Sequence, residues 1–310
     1  MEFESVVADV KSAAHNERRQ RFENSPYAEA DLRLSLLLFP AGHPYHGGII
    51  GTHEDIDRMS AADARRFFED NYRPSNLTLV VAGDFEPATA QRLIAKYFGS
   101  LRAPTTRPAA PALGGIQKPP ERRLHEVLVR DAAIPRLTFG WVLPPAYSGP
   151  ASEAHVLSRL LGAGKWSILA RLKVRDKGVV REATCTLSDR RLGSLLQCDL
   201  LIDPQAPILE VEQAVDRSIL ELATQGPSAA DLRRAQLSAR AEIFRRLERL
   251  RDRTDLLAEA HYLGGDTSAL DRLVAGIDAS TKASVQRVTA QWLSRAHEAV
   301  VVVLPKGAQP

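Results

Sequence analysis

Apolar positions along the first hundred residues alternate between helical spacing and punctuation. Residues 2–24 read as a helix, and Pro26 restarts a second one. There Leu32, Leu34, Leu36, Leu37 and Leu38 form so dense an apolar run that most of the helix must be buried. Pro40, Gly42, Pro44, Gly47 and Gly48 break it into a long loop. Ser60, with Asp63 three positions on, caps a further helix that carries Phe67 and Phe68. Arg73-Pro74-Ser75-Asn76 is a turn, Leu77 to Ala82 a short apolar strand, and Gly83-Asp84 its end. Pro87 suits the first turn of a helix reaching about Phe98.

The second part has a different rhythm. Leu124 to Val129 and Leu137 to Val142 read as strands, followed by a helix over Ala154 to Leu161. Gly162-Ala163-Gly164-Lys165 punctuates, and Trp166 to Arg175 reads as another helix. Val179 to Leu187 and Ser194 to Ile202 form an antiparallel hairpin around Asp189 to Gly193. From Ile208 the chain is mainly helical, with breaks at Gly226-Pro227 and Gly264-Gly265, and Ala299 to Leu304 is a last strand. Leu232, Ala235, Ala239, Ile243, Leu247 and Leu250 define one apolar stripe by their spacing of three and four. Between these parts, residues 103–122 are rich in proline and poor in large apolar side chains, as a linker is. Each part runs from helices to a Val-Val strand, as a duplicated α/β unit would.

Composition narrows the class. With 310 residues, 44% hydrophobic and 25% charged, the chain can bury one large core or two ordinary ones. A net charge of +3 gives no general argument for nucleic-acid binding. No apolar run is long enough for a membrane span. Met1 to Val10 lacks a basic leader, so no signal peptide is visible in this chain.

Several segments together resemble one family. His15-Asn16-Glu17-Arg18-Arg19-Gln20-Arg21-Phe22-Glu23-Asn24-Ser25-Pro26-Tyr27 resembles the second metal-ligand helix of the insulinase/pitrilysin/mitochondrial processing peptidase family of zinc metalloendopeptidases. Gly42-His43-Pro44-Tyr45-His46 and Ile50-Gly51-Thr52 with Glu54-Asp55-Ile56 are similar to the loop that follows. The stretch from Phe67-Phe68 through Asn71-Tyr72-Arg73-Pro74-Ser75-Asn76 to Gly83-Asp84 resembles its most diagnostic helix–turn–strand. Leu160 to Lys165 and Leu192-Gly193-Ser194 resemble segments of the family's metal-free repeat. The resemblance implies an α/β fold (α+β type) of LuxS/metallopeptidase-like repeats, each a mainly antiparallel sheet packed with helices. Residues 1–102 would be the incomplete end of the catalytic repeat, and 123–307 a complete metal-free repeat.

The resemblance also shows what this chain lacks. Family members carry an HxxEH motif some seventy to eighty residues before the acidic ligand that Glu17 matches. Two imidazoles on one helix face hold zinc, and the intervening Glu deprotonates the attacking water. Here sixteen residues precede Glu17, and HxxEH occurs nowhere in the chain. Glu17 is one ligand of three, so zinc binding needs the HxxEH half, and this chain alone is expected to hold none. A second departure concerns an Arg and a Tyr, seven residues apart, that contact substrate in many relatives. Val174 and Arg181 occupy those positions, and a shift by one gives Lys173 and Val180.

The resemblance therefore implies a fragment of a zinc-dependent endopeptidase that hydrolyses peptides in a chamber between two repeats. The alternative is a non-catalytic subunit or scaffold pairing with a homologous, HxxEH-bearing partner. Export to the periplasm would follow from bacterial relatives of the family.

Plainer readings compete at each signal. Glu17 can simply pair with Arg21 one turn on. His43, His46 and His53 with Glu54 and Asp55 could form an independent metal site, but the family uses that loop as a connection. Arg233, Arg234, Arg240, Arg245, Arg246, Arg249, Arg251 and Arg253 alternate with acids, as on a solvated helix face. Gly162-Ala163-Gly164-Lys165 lacks the spacing of a phosphate loop and follows a helix. If Arg190 to Gly193 form the hairpin loop, Cys185 and Cys198 oppose each other within disulfide reach. Two reduced cysteines packed as small apolar side chains are the other reading.

Overall fold

In the computed structural model, residues 3–101, 124–172 and 179–307 are described. The linker at 103–122, Lys173 and Val174 lie outside them. Five strands form one mixed sheet: β1 (Leu124–Arg130), β2 (Arg136–Leu143), β3 (Val180–Ser188), β4 (Ser194–Ile202) and β5 (Ala299–Pro305), in the order β1-β5-β2-β4-β3. Only the β1–β5 pairing is parallel. Thus the last strand of the chain sits inside the sheet. Its Val-rich run follows from burial on both faces, where no polar alternation can survive.

One face carries six helices: α6 (Ala151–Gly162), α7 (Ile208–Gln225), α8 (Ala229–Glu248), α9 (Leu250–Gly264), α10 (Ala269–Ala279) and α11 (Lys282–Trp292). Phe139, Trp141, Leu196, Leu200, Val300 and Val302 meet Leu157, Leu161, Val215 and Ile277 in the main core. The apolar stripe of α8 is buried at Ala235, Ala239 and Ile243. It stops short of Leu250, because Arg249 is extended and Leu250 begins α9, half exposed. Gly162 ends α6 against β3, where a Cβ would run into the backbone of Cys185.

The opposite face is covered by a helix from the start of the chain. After α1 (Phe3–Arg18) and a wide turn at Arg19–Glu23, α2 (Ala28–Leu38) lies across β2 and β5. Ala30, Leu34, Leu38 and Phe39 pack on Leu128, Val142, Leu195, Val301 and Val303. The leucine-rich run of this helix is thus buried by the five-stranded sheet. Full burial of Leu34 and Leu38 contributes about 2 kcal/mol each. A polar cluster fixes the register: Arg136 pairs with Asp31 at 2.7 Å and with Asp199 at 3.5 Å, and Gln197 donates to Asp31 at 2.9 Å. Burial raises the Asp31 carboxyl above the usual range, against the lowering pull of Arg136.

Along the chain between α2 and β1 the elements are short and mostly exposed. Thr52 with Asp55, and Ser60 with Asp63, form capping boxes for α3 (His53–Arg58) and α4 (Ala61–Asn71). Proline opens α5 (Pro87–Phe98). Residues 77–82, expected as a strand, belong to no ladder among the described residues. None of the described residues from 57 to 101 is buried. The expected helix over Trp166 to Arg175 is a series of turns and bends as far as Arg171, Leu172 is helical, and residues 173–175 lie outside the described residues.

Candidate functional site

Glu17 sits near the end of α1, half exposed, with its carboxylate 3.1 Å from Arg21 Nε. One turn of helix separates the two residues, the spacing at which such side chains meet. Among the described residues, no group of three or more His, Cys, Asp or Glu side chains could hold a metal ion. A single carboxylate does not by itself make a zinc site, which takes three protein donors in catalytic enzymes.

The histidines of the following loop do not gather. His43 is buried between Phe39 and Tyr45, and its Nδ1 accepts the Tyr45 N–H at 3.0 Å. Burial lowers its pKa. His46 donates to the Phe39 carbonyl at 2.7 Å. His53 instead meets His15 of α1, Nδ1 to Nδ1 at 2.6 Å. The outer nitrogens face carboxylates: His15 Nε2 lies 2.9 Å from Asp57, and His53 Nε2 lies 2.7 Å from Glu23. Arg18 donates to the Gly51 carbonyl, and Lys11 to that of Asp57. Together these ties lock α1 to α3 on either side of Glu17. This pair was not legible beforehand, since its members stand 38 residues apart and neither lies in an apolar pattern.

Two positions were expected, by resemblance, to stand where relatives contact substrate. Arg181 lies on β3 and pairs with Asp203 at 2.9 Å, half exposed. Val174 lies outside the described residues. On α8 and α9 the arginines are matched by acids: Arg240 with Asp278 at 3.2 Å, Arg246 with Glu259 at 2.9 Å, Arg245 with Glu242 at 2.5 Å. This is a solvated, neutralised face.

Cys185 and Cys198 are opposite each other in the β3–β4 register and are joined in a disulfide, with Cα atoms 4.1 Å apart. Of the two readings left open by the sequence, the bridge is the one observed.

Comparison with known proteins agrees with this architecture. Residues 58–238 match the family described as the peptidase M16 inactive domain. The chain belongs to the M16 peptidase family, which includes the insulinase and pitrilysin enzymes. It is 29% identical over 174 residues to the zinc protease PqqE of Helicobacter pylori, a match covering 54% of this chain and 37% of that protein. It is 24% identical over 277 residues to the uncharacterized zinc protease ML0855 of Mycobacterium leprae, covering 89% of this chain and 61% of that one. The chain therefore spans 37% and 61% of the length of these two curated relatives. In fold it is similar to the crystal structure of a protease from Helicobacter pylori, with a TM-score of 0.86 at 22% identity, covering 97% of this chain and 73% of that chain.

Proposed function

We propose that this chain is the part of a zinc metalloendopeptidase that follows its HxxEH helix. Residues 1–102 end the catalytic repeat, 103–122 link the repeats, and 123–307 form the complete metal-free repeat. Glu17 then supplies the third zinc ligand, while two imidazoles and the general base come from the HxxEH portion. Its ion pair with Arg21 does not oppose this, because an exposed pair of this kind contributes only about 0–1 kcal/mol. The substrate is an extended peptide held between the repeats and added as an edge strand.

The observation that carries this reading is the exposure of large apolar side chains along α4, residues 77–82 and α5. Phe67, Tyr72, Leu77, Leu79, Tyr97 and Phe98 are all exposed there, and residues 77–82 have no strand partner among the described residues. Monomeric proteins rarely leave so many large apolar side chains together in water. The remaining strands of a catalytic repeat would cover them.

The test is reconstitution with the HxxEH-bearing portion of a relative, coexpressed or fused. The complex should hold one zinc and cleave an unstructured peptide, and Glu17→Ala should abolish both. One tightly held zinc on the present chain alone, lost on Glu17→Ala, would overturn the proposal. A second reading, a non-catalytic partner subunit, draws on Arg181, which cannot provide the phenol that many relatives have there. In that case Glu17→Ala leaves the activity of a complex with an HxxEH-bearing subunit unchanged.

A further inference from the structure

The turn after α6 is anchored at both ends and presents its tip to solvent. Gly164 takes a φ of 76°, a conformation open to glycine without strain. The Ser167 N–H donates to the Gly164 carbonyl at 3.1 Å, and those of Ile168 and Leu169 donate to Leu160 and Leu161 at 2.8 and 3.0 Å. Between these anchors, Lys165 and Trp166 project outward. Trp166 is 63% exposed, with the Lys165 ammonium 5.5 Å from its ring centroid. Beneath them, between α6 and α8, lies a cavity of about 240 Å³ lined by Arg159, Lys165, Trp166, Asp231 and Arg234 among others.

The charges of this cavity are unbalanced. Asp231 is its one carboxylate among the described lining residues, and it is already engaged. It accepts the Ser228 hydroxyl at 2.7 Å, and it pairs with Arg171 at 3.2 Å and with Arg234. Arg159 and Lys165 form no ion pair with any described carboxylate. Arg159 in the last turn of α6 also suits the negative end of that helix. That role accounts for neither Lys165 nor the cavity that both residues line. A guanidinium and an ammonium facing one small space, with an exposed indole at its rim, match a carboxylate on a short apolar stem.

We propose that this cavity binds the carboxylate of an acidic side chain in a peptide, with the next residue packed on Trp166. The inference rests on the reading of this chain as a peptide-handling protein, and it adds a preference for acidic sequences.

Trp141 and Trp292 are buried, so quenching of tryptophan fluorescence by acrylamide reports mainly on Trp166. The full chain is titrated with amidated peptides identical except for one central Glu, Gln or Lys. A further Gln peptide with a free C-terminal carboxylate separates a side chain from a chain end. The Glu peptide should shield Trp166 and bind roughly tenfold more tightly than the Gln peptide, the effect of one charge-assisted hydrogen bond. Arg159→Gln with Lys165→Gln should erase that preference. Equal binding of the Glu and Gln peptides overturns the inference while peptide binding itself stands. A Glu preference that survives in the double variant, or tight binding only of the free C-terminus, overturns it as well. If no peptide shields Trp166, the inference falls, and cleavage by the reconstituted enzyme shows whether the peptidase reading falls with it.

Discussion

Leu34 of α2 occupies the space that a side chain at Gly140 of β2 would fill. A Cβ built on Gly140 lies 2.8 Å from both Leu34 methyl carbons, closer than side chains tolerate. The missing side chain in the middle of β2 therefore lets α2 lie flat on the sheet. Leu34→Ala should cost about 3 kcal/mol, the usual range for a leucine emptied from a tight core. Gly140→Val should cost at least as much by pushing α2 off, and should also raise binding of a hydrophobic dye. Urea unfolding followed by circular dichroism measures both. Stability unchanged within about 0.5 kcal/mol in Leu34→Ala would mean that α2 does not rest on this sheet.

The Cys185–Cys198 bridge closes a loop with a sequence separation of 13 between the edge strand β3 and its neighbour β4. In the chain-entropy account, a loop of this length stabilises the fold by about 3 kcal/mol. The paired substitution Cys185→Ala with Cys198→Ala should lower the urea midpoint accordingly. Dithiothreitol should destabilise the unmodified protein and leave the double variant unaffected. A structural disulfide persists in an oxidising compartment, which accords with export. Free thiols titrated in the native protein purified without reductant would contradict the bridge.

These two contacts differ in how far the sequence announces them. Cys185 and Cys198 could be paired by counting outward from the Asp189 to Gly193 turn, because hairpin register follows from loop length. The capping boxes at Ser60 and the helical stripe of α8 were legible for the same reason: their partners lie within a few residues. The placement of α2 was not. Its leucines announce burial, but only tertiary structure decides which sheet buries them. Residues 77–82 fail in the opposite way, because strand-like composition specifies a strand only when a neighbour supplies the ladder. The site divides likewise: Glu17 came from a family motif, whereas the His15–His53 contact joins residues with no shared local pattern.

Asp55 offers a check on the local structure beside that contact. The Thr52 backbone N–H and hydroxyl donate to its carboxylate, and Arg58 pairs with it, lowering its pKa to about 2. A carboxyl depressed in the folded state stabilises the fold above the ordinary Asp range. That contribution fades as pH falls from about 4 toward 2. Carbon-13 chemical shifts of Asp55 should therefore titrate near 2, and α3 should fray over the same interval. Thr52→Val removes the hydroxyl and should move the midpoint up toward the ordinary value. A midpoint near 4 in the unmodified protein would show that the capping box does not form.

The exposed apolar side chains of α4, residues 77–82 and α5 set a different expectation for stability along the chain. Residues 28–39 share a core with the five-stranded sheet and should unfold with it. Residues 61–101 bury no side chain fully and meet the rest chiefly through contacts of α4 with α1. Amide hydrogens there should exchange through local opening, with protection far below that of β2, β4 and β5. Because these exposed side chains are apolar, the chain should also self-associate as its concentration rises, and Phe67→Ser with Leu79→Ser should weaken that association without lowering the main unfolding midpoint. Hydrogen exchange by mass spectrometry and sedimentation velocity read the two effects separately. Protection across 61–101 equal to that of β5 in a dilute monomer would show that this segment is already packed, and would remove the main support for a missing portion of the catalytic repeat.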